Sequence, residues 1–288
     1  MKAVFLNHRE RPMPMKHSKT VVGVATMHGK ESQIIQGFKD LLDWEIVAVD
    51  IDTDSFGTFA GEIPRTLGPK ETARAKCLAG LEASGLSRMI ASEGTFSPHP
   101  MMPLITLNTE LLFYIDEENN LELSQVYSTT EVVALRETIT QETDLEKLAK
   151  SADLPNHALI LRSDAEPLRV FAKGIRTLEE LKESTPRELD SKLIVETDFR
   201  AMVNPSRQQS IVKCAKLLAE KLSSNCPGCQ SIGWGLVDYE RGLPCGDCGS
   251  RANREISAEL LGCPKCDFRE KRLIEGFASA ANCDFCNP

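Results

Sequence analysis

Eight of the ten cysteines lie in four Cys-x-x-Cys pairs: Cys226 and Cys229, Cys245 and Cys248, Cys263 and Cys266, Cys283 and Cys286. Successive pairs are separated by 15, 14 and 16 residues. A spacing of two residues lets both sulfurs of a pair reach one metal ion from a tight turn, and two such knuckles close a tetrahedral four-sulfur shell. Pro227, Gly228, Pro244, Gly246 and Gly249 suit those turns. A redox dithiol would account for one pair and not for four. A shell of four sulfurs leaves no open position for substrate, so the expected metal is structural zinc, two ions in all, folding a segment with few apolar residues of its own. Sequential pairing would place Cys226, Cys229, Cys245 and Cys248 on one ion and Cys263, Cys266, Cys283 and Cys286 on the other. The spacing also allows crossed or nested pairing.

A second group of residues could handle phosphate. In "ATMHGKE" (25–31), Thr26, His28 and the amides of a helix start could receive phosphate, with Lys30 as a point charge. "ETARAKC" (71–77) puts Glu71 and Lys76 on a helix, and "ASEGTF" (91–96) puts Glu93 just past a strand end, where parallel sheets place ligands. Two carboxylates with lysines would make a Mg²⁺–phosphate site, the hard cation offsetting phosphate charge. Each motif taken singly also fits a solvated helix start or strand end. Cys77 and Cys214 sit on apolar helical stripes and read as core thiols.

The elements that must position these residues follow from periodicity. Residues 1–18 read as a polar, basic arm. "TVVGVAT" (20–26) and "WEIVAVD" (44–50) read as buried strands around a helix carrying Ile34, Ile35, Phe38, Leu41 and Leu42, a strand–helix–strand opening that implies a parallel sheet. A Gly/Pro-rich loop (52–69) leads to a helix begun by Pro69, then to a strand at 87–92 that ends in the loop "EGTFSPHPMMP". "ELLFYID" and "LELSQVYS" read as an antiparallel pair across "EENN". Short helices are expected at 141–152 and 177–184, strands at 157–163 and 192–198, and a last helix at 205–222. The expected fold is α/β: a mixed twisted sheet with flanking helices over residues 19–224, and a small zinc-ribbon-like module over 225–288.

The 288 residues carry a net charge of −8. Residues 226–288 hold seven Lys or Arg against nine Asp or Glu, a net of −2; eight thiolates and two Zn²⁺ would lower it to −6. That balance opposes nucleic-acid binding, which needs a basic footprint. No apolar run is long enough to span a bilayer, and the first 20 residues lack the apolar core and cleavage motif of a secretory signal. The expected compartment is the cytoplasm, where thiols stay reduced.

The closing "LPCGDCG…GCPKC…NCDFCNP", with "FRAMVNPSR" before it, resembles an uncharacterised bacterial family known only as a domain of unknown function. Residues 20–96 resemble the opening of the inosine triphosphatase-like nucleoside triphosphate pyrophosphatases, which show a T-x-N-x-x-K turn after the first strand, a helix similar to "ETARAKC" and an acidic turn after the next strand. Thr26, Glu71, Lys76 and Glu93 match those positions. His28 stands where that family has Asn, Lys30 comes one residue early, Ser92 replaces a second acid, and "NPSR" offers Arg207 near the family's base-recognising helix. The resemblance implies a Mg²⁺-dependent pyrophosphatase, with Glu71 and Glu93 holding the metal and Thr26, Lys30, Lys76 and Arg207 on the nucleotide. The departures favour a different expectation: a non-catalytic nucleotide- or anion-sensing adaptor whose zinc module contacts a protein partner.

Overall fold

The computed structural model describes residues 19–27, 29–58, 63–164, 168–186 and 192–288. The expected arm 1–18 and His28 lie outside the described residues.

Strand β1 (Val21–Ala25), helix α1 (Glu31–Phe38) and β2 (Glu45–Val49) form the expected crossover unit, with β1 and β2 parallel. Helix α2 (Pro69–Ser84) has Pro at its first turn, where its missing N–H costs nothing, and ends on Gly85 in the left-handed conformation. It leads into β3 (Arg88–Pro98), which pairs parallel with β1 and antiparallel with β4 (Thr106–Asp116); β5 (Leu121–Thr129) completes a sheet of order β2-β1-β3-β4-β5. One face packs on α1 and on α5 (Pro205–Leu222), through Val22, Val24, Ile90, Leu112 and Leu218. The other face packs on α2 through Ala73, Cys77 and Leu81, and both core thiols, Cys77 and Cys214, are fully buried.

The expected end of β3 at residue 92 is corrected. The strand continues to Pro98, paired residue by residue with β4 from Arg88↔Asp116 to Pro98↔Thr106. The neighbouring strand supplies hydrogen-bond partners that the Gly- and Ser-containing sequence does not advertise. Glu93 therefore lies inside a strand. Pairing with β1 stops at Ala25↔Ala91, so Glu93 still stands beyond the parallel part of the sheet.

A second, antiparallel sheet lies between β5 and α5 in sequence. Its order is β6-β9-β7-β8, from β6 (Arg136–Ile139), β7 (Leu159–Ser163), β8 (Val170–Ile175) and β9 (Leu193–Thr197). Helices α3 (Leu145–Ser151) and α4 (Leu178–Ser184) cover it around Leu148, Leu161, Leu181 and Val195. The sequence reading located two of its four strands and both helices. The tail forms a three-stranded antiparallel sheet of β10 (Gly235–Pro244), β11 (Arg251–Gly262) and β12 (Arg269–Leu273).

Helix α1 meets α5 closely at Gly37, where an added Cβ would lie 2.5 Å from Ala215 Cβ and 2.8 Å from the Lys216 amide nitrogen. Backbone atoms cannot yield as a flexible side chain would. Gly37→Ala is expected to destabilise the chain by about 1–3 kcal/mol despite the better helix propensity of Ala, read as a lower urea midpoint at unchanged slope.

Candidate functional sites: two cysteine clusters and a cationic cleft

The eight paired cysteines gather into two tetrads: Cys226, Cys229, Cys263 and Cys266, and Cys245, Cys248, Cys283 and Cys286, each with sulfurs within 4.8 Å of one another. Sulfur–sulfur separations between knuckles are 3.7 Å (Cys226–Cys266), 3.6 Å (Cys229–Cys263), 4.0 Å (Cys245–Cys286) and 3.6 Å (Cys248–Cys283). Zn–S bonds of about 2.3 Å in a tetrahedron give an edge of about 3.8 Å. The donor set and its size thus fit zinc, which each tetrad could hold. Backbone N–H groups of Gly228 and Lys265 donate to Cys226 Sγ and Cys263 Sγ, both at 3.3 Å. Hydrogen bonding with Ser231 and Ser250 lowers the Cys229 and Cys248 thiols to about 6, while hydrogen bonding with the neighbouring sulfurs raises Cys266 and Cys286, so one thiol of each metal-free tetrad ionises first.

Sequential pairing is therefore corrected to crossed pairing, and the three strands supply the reason. Each gap between pairs holds one strand of the antiparallel sheet, so the chain changes ends at every gap. The first and third pairs meet at one end of the β10–β11 hairpin, the second and fourth at the other.

The second site is a cavity of about 80 Å³ beyond the carboxyl ends of β1 and β2. Among the described residues its wall holds six cations, Lys30, Arg65, Lys76, Lys173, Arg200 and Arg207, against two acids, Asp54 and Glu93. The cations come from both sheets: Lys30 from the turn after β1, Lys76 from α2, Lys173 from β8, Arg200 from the segment after β9, and Arg207 from α5. Lys76 is buried on the sheet-facing side of α2 and is hydrogen-bonded to Glu93 Oε1. Arg207 is 1% exposed; its Nε donates to Glu110 Oε1 at 2.8 Å and its Nη1 to the Phe199 carbonyl at 2.7 Å. Arg200 forks onto buried Asp198, and Arg65 Nη1 donates to the Gly94 carbonyl at 3.1 Å. Stacking of Phe96 on Phe199, with centroids 3.7 Å apart, ties the second sheet to β3 beside the cleft.

Lys30 is partly buried, and its ammonium is destabilised first by burial and then by the Arg207 and Lys76 charges, with Glu93 and Glu110 offsetting part; its pKa falls to about 7. Thr26 is buried beneath the cavity and accepts a hydrogen bond from the Lys30 amide at 3.4 Å.

Of the residues singled out from sequence, Lys30, Lys76, Glu93 and Arg207 line one cavity, and Thr26 supports it. Glu71 does not line it: it is exposed in the first turn of α2. Five residues separate it from Lys76, about 140° around a helix, so one helix face cannot present both. There its charge favours the helix start. Sequence reasoning missed Arg65, Lys173, Arg200 and Glu110. Glu110 carried a signal, a carboxylate within an apolar strand; Lys173 and Arg200 reach the cleft through a sheet whose packing no local pattern states.

Crossed pairing makes a sharp prediction for full-length protein analysed for bound metal. The double variant Cys226→Ser/Cys263→Ser should lose one of two zinc equivalents, and Cys226→Ser/Cys245→Ser both; sequential pairing predicts the reverse. Glu110→Gln should cost about 3–5 kcal/mol in chemical unfolding, because it leaves the Arg207 charge buried without its counter-charge.

The family model described as "Domain of unknown function (DUF6671)" matches residues 76–288, spanning α2 from Lys76 onward, strands β3–β5 of the first sheet, the whole second sheet and all eight paired cysteines. No curated protein and no solved structure matches the chain. The crossed cysteine module and the Glu93, Glu110 and Arg207 positions all fall within the matched segment, and the chain belongs to the DUF6671 family.

Proposed function

We propose that this protein binds a small phosphate-bearing or similar oxyanion in the cleft between its two sheets, and that its tail is held by two structural zinc ions. The observation that carries the reading is the charge of the wall: six cations to two acids, still a net of +2 once Glu110 and Asp198, the partners of Arg207 and Arg200, are counted with them, in a chain of net charge −8. Such focusing in a low-dielectric cavity draws anions and little else. The cavity's 80 Å³ suits an oxyanion group, whereas whole nucleotide-sized ligands occupy clefts of roughly 300–1,000 Å³. A nucleotide would place its phosphate inside and its remainder outside.

Binding is favoured over Mg²⁺-dependent hydrolysis by the placement of the carboxylates. Glu71 is on the outer face of α2, Glu93 is engaged by Lys76, and Glu110 by Arg207. The protein-partner role of the tail is supported by Phe277 and Phe285, 74% and 75% exposed near the second tetrad.

Pyrophosphate at 100 times its Kd should stabilise the protein by about 2.7 kcal/mol, visible as a higher melting temperature. Lys30→Met should weaken binding about tenfold or more, the worth of one charge-assisted contact. Glu93→Gln separates the readings. It should leave anion binding intact or tighter, since it frees Lys76, whereas a pyrophosphatase would lose its turnover of nucleoside triphosphates with Mg²⁺. No stabilisation by pyrophosphate, phosphate or nucleotides would overturn the proposal.

The Lys30 pKa sets a pH dependence. With the pKa lowered to about 7, Lys30 is charged below that pH and loses its proton above it. A bound anion restores the proton, so affinity should be flat below pH 6 and fall between pH 7 and 9. Sulfate, whose own charge is constant over this range, is the probe for calorimetry.

A further inference from the structure

His157 lies at the end of the α3–β7 connection, 5% exposed, and both its ring nitrogens are engaged. Nδ1 is 2.8 Å from Asp153 Oδ2, and Nε2 is 3.1 Å from Ser206 Oγ. Asp153 adopts a left-handed backbone conformation, φ 58°, and its other oxygen accepts from Asn156 Nδ2 at 3.1 Å. A carboxylate on Nδ1 fixes the neutral ring as the Nδ1–H tautomer and leaves Nε2 free to accept a proton. The group it faces is a hydroxyl.

Ser206 occupies the second position of α5, an 18-residue helix whose first residue, Pro205, has no N–H. The Arg207 amide is capped by Asn204 Oδ1 at 2.9 Å, and the Gln208 amide by the Asn204 carbonyl at 3.0 Å. The Ser206 amide has no acceptor among the described residues. The same residue thus offers a hydroxyl against an imidazole and an unclaimed N–H at the positive end of a helix. A negative oxygen forming beside Oγ would be stabilised there. The hydroxyl donates to Asn204 Oδ1 at 2.8 Å, and for proton transfer it must turn from that oxygen to His157 Nε2.

We propose that Ser206, His157 and Asp153 form a nucleophile, base and positioning residue that accept an acyl group from a small ester. Ser206 Oγ attacks the ester carbonyl, the Oγ–C bond forms, and the hydroxyl proton passes to His157 Nε2. The ester C–O bond breaks, and the alcohol leaves with that proton. Water then attacks the acyl-serine, giving its proton through His157 to the departing Oγ, and a carboxylic acid is released. Ser206 is partly exposed and does not line the cationic cavity. The site is independent of the anion cleft: neither His157 nor Asp153 lines it.

The same contacts could merely pin the Asp153–His157 loop to α5, and the test separates the two. Full-length protein is treated with an alkyl fluorophosphonate, in which Ser206 Oγ would displace fluoride from phosphorus, and the adduct is counted by intact mass and located by peptide sequencing. One adduct per chain on Ser206 is expected, with a matching burst of p-nitrophenolate from p-nitrophenyl acetate. His157→Gln should slow labelling about 100-fold or more while its circular dichroism spectrum stays unchanged. Asp153, 45% exposed, orients the ring less firmly than a buried carboxylate would. Asp153→Asn should slow labelling about tenfold and change its pH profile, which a purely structural contact would leave in place. No adduct on the folded wild-type chain, an adduct elsewhere, or a rate unchanged in His157→Gln would overturn the proposal. The wild-type adduct decides the matter without depending on any variant that must fold.

Discussion

The buried pair of Arg207 and Glu110 is the contact on which the α/β part of the molecule turns. The two side chains are 1% and 0% exposed. Removing two full charges from water costs several kcal/mol per ion, so the pair persists only because every polar atom finds a partner. Arg207 reaches the Phe199 carbonyl as well as Glu110, and Asn108 Nδ2 donates to Glu110 Oε1 at 3.0 Å. Gly94, directly across from Glu110 in the β3–β4 ladder, has no side chain to fill the space the guanidinium needs. In this way α5, the central strands and the exit from the second sheet meet at one point. The cationic cleft opens directly beside it, so its positive wall is built on an already neutralised foundation.

The same arrangement explains why the cleft holds acids at all. Lys76 and Glu93, 7% and 6% exposed, could not be buried alone. Pairing lets the chain carry a dense set of cations through an interior while Lys30 bears the residual electrostatic strain. The cleft lies where the parallel part of the sheet ends, the position at which open α/β sheets ordinarily meet their ligands.

Much of this was legible in the residues. The 3.6-residue stripe of α5 and its Pro205 start gave the helix from 205 to 222 as found. The β4–β5 hairpin followed from alternation around "EENN". What stayed hidden depended on partners distant in sequence. The length of β3 is set by β4, not by its own Gly and Ser. Strands β6 and β8 are half-exposed edges of a small sheet with little periodic signal. Lys173 and Arg200 are more than 100 residues from Lys30 and meet it only through the packing of two sheets. The metal ligands were readable from spacing, but their pairing was not, because it depends on whether each gap holds one strand or a full hairpin.

That crossed pairing orders events in time as well as in space. The chain leaves the ribosome from its amino end. With sequential pairing, a first ion could lodge as soon as Cys248 emerged. In the crossed arrangement the first tetrad waits for Cys266, 40 residues after Cys226, and the second for Cys286, 41 residues after Cys245. Between those moments the knuckle at Cys245 and Cys248 is already synthesised but has only two thiols to offer. The module must therefore be loaded late and nearly at once, and a shortage of metal during synthesis would leave thiols from both tetrads exposed together.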